Sequence, residues 1–171
     1  MTNINEIAKQ MVAEGKGILA ADESSGTIKK RFDTINVNSS EENRMNYRRI
    51  LFESTEAMQN YISGVILFDE TIRQSNNDGE RLVDIIKKSG SLPGIKVDMG
   101  AKELATMQGE TVTEGLDGLR ERLQEYSNLG AKFAKWRAVI SISNKNPSSL
   151  CIDVNAHALA RYAALVQEAK M

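Results

Sequence analysis

Four short, almost uninterrupted apolar runs, each followed by a stretch of helical periodicity, constrain the fold more than any other feature of the sequence. The runs occupy residues 17–22, 62–68, the stretch after Pro93, and 131–143. A strand that is apolar on both faces must be covered on both faces, which is typical of parallel sheets packed between helices. Strands that alternate with helices therefore predict an α/β fold with a parallel sheet.

The segments between the runs have the apolar spacing of amphipathic helices. We predict helices over residues 3–14, after a cap at Ser24 or Ser25, from the capping-box pair Ser39 and Glu42, over 81–90, over 116–130, and from about Ser149 onwards. In the helix that follows Ser39, residues Met45, Ile50 and Leu51 are expected to face the core. With 171 residues the chain has the length of one domain, so we interpret residues 1–171 as a single domain.

Composition and charge exclude several classes of function. A formal net charge of −1 argues against nucleic acid as the main partner, because binding a phosphate backbone needs a basic excess. No apolar run approaches membrane-spanning length, so no membrane partner is expected. The sole cysteine, Cys151, excludes an internal disulfide framework and fits a cytoplasmic location. Cys, His and Asp residues show no metal-ligand spacing, and we expect no metal or cofactor.

Charged side chains stand in or just after the predicted strands, where a buried sheet needs apolar residues. They are Asp22, Glu70, Lys96, Asp98, Lys135 and Arg137. In α/β folds the chemistry collects at the carboxyl ends of the strands, so these residues are candidates for a functional site. Lys135 and Arg137 are two positions apart and therefore share one face of the fourth strand. Buried cations of this kind need anions beside them.

Two interpretations of these charges remain open at this point. The acidic residues Asp22, Glu70 and Asp98 could neutralise the cations within one internal ion-pair network. Alternatively, the cations serve a ligand that brings its own negative charge, such as a phosphate or carboxylate on a sugar or an acid.

Seven segments, taken in order, resemble consecutive segments of class I fructose-1,6-bisphosphate aldolases. They are KGILAADESSGTIKKR, EENRMNYRR, ISGVILFDETIRQ, PGIKVDMGAK, GETVTEGLDGLRERL, GAKFAKWRAVI and NAHALARYAALVQEA. The resemblance covers nearly the whole chain, and the GAK sequence after the third strand is closer to bacterial and plant forms than to animal ones. It implies a TIM (β/α)8 barrel, of which the chain would cover roughly the first four βα units and an N-terminal helix.

The resemblance also implies an activity and a set of site residues. The reaction would be the reversible cleavage of fructose 1,6-bisphosphate to dihydroxyacetone phosphate and glyceraldehyde 3-phosphate in glycolysis, through a Schiff base on a lysine and without a metal. Asp22 matches the family's aspartate near the cleaved bond, and Lys96 matches a lysine close to the substrate. Lys135 matches the lysine that assists proton transfer, with Arg137 beside it. The residues implied in contacts with a substrate phosphate are Ser24, Thr27, Arg31 and Arg44.

The same resemblance indicates what these 171 residues lack. The family's later Glu-Gly-x-x-x-Lys segment, which bears the Schiff-base lysine, is absent from them, so we expect the chain to be inactive alone. The first and fourth strands would have unpaired edges, which favour either a homo-oligomer or a complementary C-terminal half. The alternative function is a non-catalytic half barrel that binds phosphosugars or a protein partner.

Overall fold

The computed structural model describes residues 4–171. The elements in chain order are α1 (Ile4–Met11), β1 (Gly17–Ala21), α2 (Ser25–Asp33), α3 (Glu41–Phe52), α4 (Thr55–Tyr61), β2 (Ile62–Leu67), α5 (Asp69–Arg73), α6 (Leu82–Lys88), β3 (Leu92–Lys96), β4 (Ala101–Glu103), β5 (Thr111–Thr113), α7 (Leu119–Leu129), β6 (Phe133–Lys135) and α8 (Ser149–Glu168). The first residue of the predicted helix 3–14 lies outside the described residues. None of the helices in residues 4–171 is long and apolar enough to cross a membrane.

The main sheet has the strand order β1-β2-β3-β6, and every neighbouring pair is parallel. Each strand is followed by at least one helix, so the predicted succession of four βα units is confirmed. The two central strands are β2 and β3, while β1 and β6 form the edges of the sheet. This is the arrangement of consecutive units in a βα barrel.

The two faces of this sheet are packed differently. Val65, Leu67 and Ile95 point to the helix-covered face and are fully buried in the main hydrophobic cluster. On the opposite face the ring of Phe133 lies directly over Gly94, where a Cβ atom would come within 2.3 Å of it. Phe133 joins Ile7 of α1 in a second, smaller apolar cluster. This second face is therefore apolar near the amino ends of the strands, and its carboxyl end carries the charged side chains.

The fourth strand is much shorter than predicted. Pairing between β3 and β6 ends where Lys96 lies opposite Lys135, and residues 136–148 contain no strand. Val139 and Ile140 are exposed, so the expectation that both faces of 131–143 are buried is wrong beyond β6. The following backbone is held instead by a hairpin that the sequence did not predict, β4 and β5, since the Thr113 hydroxyl donates to the carbonyl of Arg137.

Helix α3 begins one residue later than the predicted capping box, and the face that it turns to the core differs in part from the predicted one. Ser40, not Ser39, is the N-cap, and its hydroxyl accepts a hydrogen bond from the backbone N–H of Asn43. Ile50 is exposed, whereas Arg48 is fully buried together with Phe52. The predicted inner face is therefore confirmed for Met45, which is buried, and for Leu51, which packs partly buried against the main cluster, and it is wrong for Ile50.

Candidate active site

A cavity of about 850 Å³ opens at the carboxyl ends of the four parallel strands. Seven of the eight predicted site residues line it: Asp22, Ser24, Thr27, Arg31, Lys96, Lys135 and Arg137. Strand geometry explains their convergence, because alternate residues share a face. Lys96 is two residues beyond Gly94, and Lys135 is two residues beyond Phe133, so both lysines continue the face that Phe133 covers. The eighth predicted residue, Arg44, does not line the cavity.

The centre of the cavity is an ion pair between the two edge strands. The Lys135 ammonium donates to the carboxylate of Asp22, with Nζ 2.5 Å from Oδ2. Asp22 directly follows β1 and is nearly buried, while the Lys135 side chain is partly open to the cavity. In a flat sheet the backbones of β1 and β6 would lie about 14 Å apart. The contact therefore reflects a sheet that curves around the cavity, as in a barrel.

A second acidic residue, Asp98, organises the other two predicted catalytic cations. Its Oδ1 accepts from the Lys96 ammonium at 2.8 Å, and its Oδ2 accepts from the backbone N–H of Arg137 at 3.3 Å. The Asp98 carboxylate is almost completely buried. It fixes the position of Lys96 and the direction in which the chain leaves β6. Asp98 is one of the strand-end candidates from the sequence, but it is not among the site residues that the family resemblance implied.

The N-terminus of α2 forms one wall of the cavity. Ser24, one of the two predicted caps, is the N-cap, and its hydroxyl accepts from the backbone N–H of Thr27 at 3.4 Å. The two hydroxyl oxygens of Ser24 and Thr27 are 3.1 Å apart. One turn later the exposed Arg31 guanidinium pairs with the carboxylate of Glu23. Hydroxyl groups, a helix N-terminus and a guanidinium together are a chemistry that suits a phosphate.

The sequence left two interpretations of the strand-end charges open, an internal ion-pair network and a site for a ligand anion, and each describes part of the cavity. Lys96, Lys135 and Arg31 each have a carboxylate partner, as an internal network requires. Arg137 is different, because its side chain is exposed and no ion pair joins it to a carboxylate within residues 4–171. Arg137 is therefore a cation that a ligand anion could reach without breaking a protein ion pair.

Arg44 belongs to a set of alternating charges behind the α2 wall. Its guanidinium makes two hydrogen bonds to Glu70, with Nη2 2.5 Å from Oε1 and Nε 2.9 Å from Oε2. These hydrogen bonds raise the pKa of Arg44 and lower the pKa of Glu70. Glu70 and Glu23 both lie near the guanidinium of buried Arg48, at 3.7 Å and 3.8 Å. We call Arg31, Glu23, Arg48, Glu70 and Arg44 the inner cluster.

A second set of charges lies at the opposite side of the cavity mouth. Arg73 pairs with Asp69 at 2.9 Å and with Glu125 of α7, and the Tyr126 hydroxyl donates to Asp69 at 2.9 Å. Burial raises the pKa of Asp69, but hydrogen bonds from Arg73 and Tyr126 outweigh it and the pKa is lowered overall. Burial, and then the bond to Asp69, raise the pKa of Tyr126. We call Asp69, Arg73, Glu125 and Tyr126 the rim cluster.

The sequence did not single out the rim cluster or Arg48, and it indicated Asp98 only as a strand-end charge without a stated role. Asp69 directly follows the second apolar run, whereas Arg73, Glu125 and Tyr126 lie farther along helices and carry no strand-end signal. For Arg48 a signal was present, since Met45, Arg48 and Phe52 follow one helical stripe and all three are buried. No group of three or more His, Cys, Asp or Glu side chains placed to hold a metal ion occurs in the described part of the chain.

Comparison with known proteins connects this site to a family. The family model for fructose-bisphosphate aldolase class-I matches residues 3–171. The chain is 60% identical over 163 residues to a probable fructose-bisphosphate aldolase class 1 of Xanthomonas campestris, covering 95% of this chain and 48% of the relative. It is 57% identical over 154 residues to the cytosolic fructose-bisphosphate aldolase 4 of Arabidopsis thaliana, covering 90% of this chain and 39% of the relative.

A solved structure shows the same likeness in three dimensions. Fructose-bisphosphate aldolase from Plasmodium falciparum, in a complex with TRAP and a small-molecule inhibitor, superposes with a TM-score of 0.94 at 45% identity. The match covers 98% of this chain and 49% of the Plasmodium chain. The chain thus spans about half the length of the relatives it matches, and the expected TIM-barrel architecture and the likeness to bacterial and plant forms are confirmed. The chain belongs to the class I fructose-bisphosphate aldolase family.

Proposed function

We propose that these 171 residues form the part of a class I fructose-bisphosphate aldolase that binds the sugar bisphosphate and moves protons during its reversible cleavage. The products would be dihydroxyacetone phosphate and glyceraldehyde 3-phosphate. The observation that carries the proposal is the pair of Lys135 and Asp22, 2.5 Å apart in a cavity that also holds the exposed, carboxylate-free side chain of Arg137. Family membership supplies the reaction to which this geometry is matched.

The geometry suggests a division of labour. Lys135 holds a proton on Nζ within hydrogen-bond distance of the Asp22 carboxylate, so the pair can give a proton to one oxygen of a substrate and recover it from another. Arg137 and Lys96 supply positive charge where a bisphosphate would enter. Ser24, Thr27 and Arg31 would contact a phosphate at the N-terminus of α2, and Arg31 would exchange Glu23 for the phosphate.

Arg44 is proposed for a supporting part and not for ligand contact. Its guanidinium is committed to Glu70 through two hydrogen bonds and lies outside the cavity lining. Reaching a phosphate would require it to give up both hydrogen bonds to the partly buried carboxylate of Glu70, which is costly.

Calorimetric titration of the 171-residue chain with fructose 1,6-bisphosphate tests the binding half of the proposal. We expect saturable binding that weakens about tenfold in Arg137→Gln, since a charge-assisted contact to phosphate is lost. Arg120→Gln is the matched control, because Arg120 is exposed on α7 and pairs with Glu168 away from the cavity. Absence of binding by the wild-type chain would overturn the proposal.

We further propose that the Schiff-base lysine is supplied from outside these 171 residues. The chain alone, mixed with dihydroxyacetone phosphate and borohydride, should then give no covalent adduct by mass spectrometry. Adding the part of a class I aldolase that carries that lysine should restore both the adduct and cleavage. An adduct on this chain alone would contradict its inactivity. Saturable binding of fructose 1,6-bisphosphate without cleavage, even after the second part is added, would favour the non-catalytic phosphosugar-binding module.

The location and partners follow as further proposals. Ile18 on the edge strand β1 is 41% exposed, so this edge offers an apolar, unpaired strand for another barrel segment or a second copy of the chain. The cytosolic name of the Arabidopsis relative supports a cytoplasmic location. Analytical ultracentrifugation of the chain, alone and with a complementary aldolase half, would separate self-association from complementation.

A further inference from the structure

Arg48 is a completely buried cation for which the proposed reaction has no direct use. Its side chain is 0% exposed, and it lies in α3, behind the cavity wall and not in the cavity. Burial lowers its pKa, while Glu23 and Glu70 act in the opposite direction. A buried ion pair usually contributes little to net stability compared with apolar residues of similar volume at both of its positions. Its presence therefore calls for an explanation in terms of what it holds in place.

The contacts of Arg48 join the segments that follow two neighbouring strands. Its Nη2 donates to the backbone carbonyl of Glu23 at 2.6 Å, directly after β1. Its Nη1 donates to the hydroxyl of Thr71 at 2.6 Å, in the helix after β2. The last backbone pair between the two strands joins Ala21 to Leu67. Arg48 thus links the segments that follow β1 and β2, just beyond the last backbone pair of the two strands.

The position of Glu23 makes this bridge relevant to the site. Glu23 lies between Asp22, which pairs with Lys135, and Ser24, which caps α2. Its carbonyl is fixed by Arg48, and its carboxylate binds the exposed Arg31. The planar fork of an arginine can reach two acceptors in fixed directions at once, which the single ammonium of a lysine cannot.

We propose that Arg48 is a positioning residue that holds the segment Asp22–Glu23–Ser24, and through Glu23 the guanidinium of Arg31, in the geometry that receives the sugar bisphosphate. This inference rests on the proposed function and deepens it. It attributes the fixed geometry of the residues proposed to bind phosphate to Arg48, a residue that itself contacts no ligand. Arg48→Lys should therefore loosen this segment and weaken ligand binding while the fold is retained.

The first readout needs no ligand. Amide hydrogen exchange of the peptide spanning residues 20–28 is compared in the wild type, Arg48→Lys and Thr71→Val, which removes the hydroxyl acceptor of Nη1. We expect exchange to be several-fold faster in both variants, and Thr71→Ser should restore protection because it keeps the hydroxyl. The matched control is Arg49→Lys, since Arg49 is partly exposed and pairs only loosely with Glu53, at 3.7 Å. Unchanged exchange in Arg48→Lys would overturn the proposal.

The second readout is the affinity for fructose 1,6-bisphosphate. Arg48→Lys should bind about tenfold more weakly, as expected when a recognition group is misplaced. The double variant Arg31→Gln with Arg48→Lys should lose less than the sum of the two single losses, because part of the Arg48 effect passes through Arg31. Fully additive losses, or faster exchange with unchanged affinity, would overturn the positioning role. If the wild-type chain does not bind the bisphosphate, the proposed function fails, and the exchange experiment still decides whether Arg48 orders residues 22–24.

Discussion

The inner cluster and the rim cluster lie on two sides of the same cavity and contain similar charged residues, yet the residues at their centres differ in burial. Arg48 is inaccessible and Glu70 is 20% exposed, whereas Arg73 and Asp69 are 40% and 49% exposed. Both clusters alternate in charge, and both contain two hydrogen bonds between one arginine and one carboxylate. The comparison therefore isolates the effect of solvent on otherwise similar ion pairs.

Burial decides what each cluster can do for the site. Exposed ion pairs are screened by water and typically contribute below about 1 kcal/mol. A buried pair contributes little in total, but removing one partner leaves an uncompensated charge, which costs about 3–5 kcal/mol. The inner cluster should therefore hold the backbone after β1 and β2 rigidly, while the rim cluster should tolerate changes and adapt its side chains to a ligand.

The largest difference should appear when the central arginine of each cluster is replaced by methionine. Arg48→Met should lower the free energy of unfolding by about 3–5 kcal/mol, because the backbone carbonyl of Glu23 and the hydroxyl of Thr71 each lose a buried donor, at about 1–3 kcal/mol apiece. Arg73→Met should lower it by less than about 1 kcal/mol, since water replaces the lost partner. Urea denaturation of both variants measures the two losses. Equal losses would show that burial does not separate the clusters.

Replacing the carboxylates should give a smaller difference that depends on pH. Glu70→Gln should cost about 1–3 kcal/mol at pH 7, because Arg44 and Arg48 lose a charged acceptor. Arg44 holds the pKa of Glu70 below its ordinary value of 4.5. This stabilisation is therefore complete above pH 4.5 and is lost as the pH falls through the lower folded pKa.

The pH dependence of the destabilisation provides a control for the Glu70→Gln prediction. The gap in unfolding free energy between wild type and Glu70→Gln should shrink as the pH falls below 4.5, because protonated Glu70 resembles glutamine. Asp69→Asn, in the rim cluster, should cost below about 1 kcal/mol at pH 7. A Glu70→Gln gap that stays constant down to acid pH would mean that the lost charge is not what destabilises the variant.

The parallel sheet around these clusters could be predicted from sequence because apolar runs and helical periodicity alternate without interruption. The extent of β6 could not, since Trp136 and Val139 continue the apolar pattern after the partner strand β3 has ended at Lys96. The hairpin of β4 and β5 was missed for the opposite reason. Its strands are three residues long and partly polar, so they have too few positions to show a period of two.

The site could be predicted as far as residues stand at strand ends. Asp22, Lys96 and Lys135 interrupt apolar runs, and parallel strands bring their carboxyl ends together. Arg48 lies on a helix, where an arginine is normally assigned to the surface, so its place on the stripe of Met45 and Phe52 was not enough to predict its burial. The pairing of Arg44 with Glu70 likewise depends on how α3 packs beside α5, which periodicity does not define.

Salt should change the stability of the rim cluster, but not of the inner cluster, by tenths of a kcal/mol. Raising NaCl from about 0.05 M to about 1 M shortens the Debye length from more than 10 Å to about 3 Å. The destabilisation caused by Arg73→Met should then nearly vanish, while that caused by Arg48→Met should be almost unchanged, since water and ions do not reach the buried pair. Urea denaturation at both salt concentrations measures this, and a rim contribution that persists at about 1 M would contradict the assignment of solvent screening.

The smallest expected effect comes from a third cluster, on α6, where a strong pKa shift accompanies high exposure. Arg81 makes two hydrogen bonds to Asp84 and Lys87 adds a third, which lowers the pKa of Asp84 from 3.8 to about 2. The folded pKa is lowered, so any stabilisation is present above pH 3.8 and is lost as the pH falls to about 2. Because the carboxylate is 41% exposed, solvent screening should leave Asp84→Asn destabilised by less than about 0.5 kcal/mol at pH 7.

An NMR titration of the carboxyl carbon measures the pKa of Asp84, and urea denaturation measures the free energy of unfolding of the variant. Asp78→Asn, in the preceding loop, is the control. If Asp84→Asn instead lost as much stability as Glu70→Gln, exposure would not be the variable that separates the inner cluster from the rim.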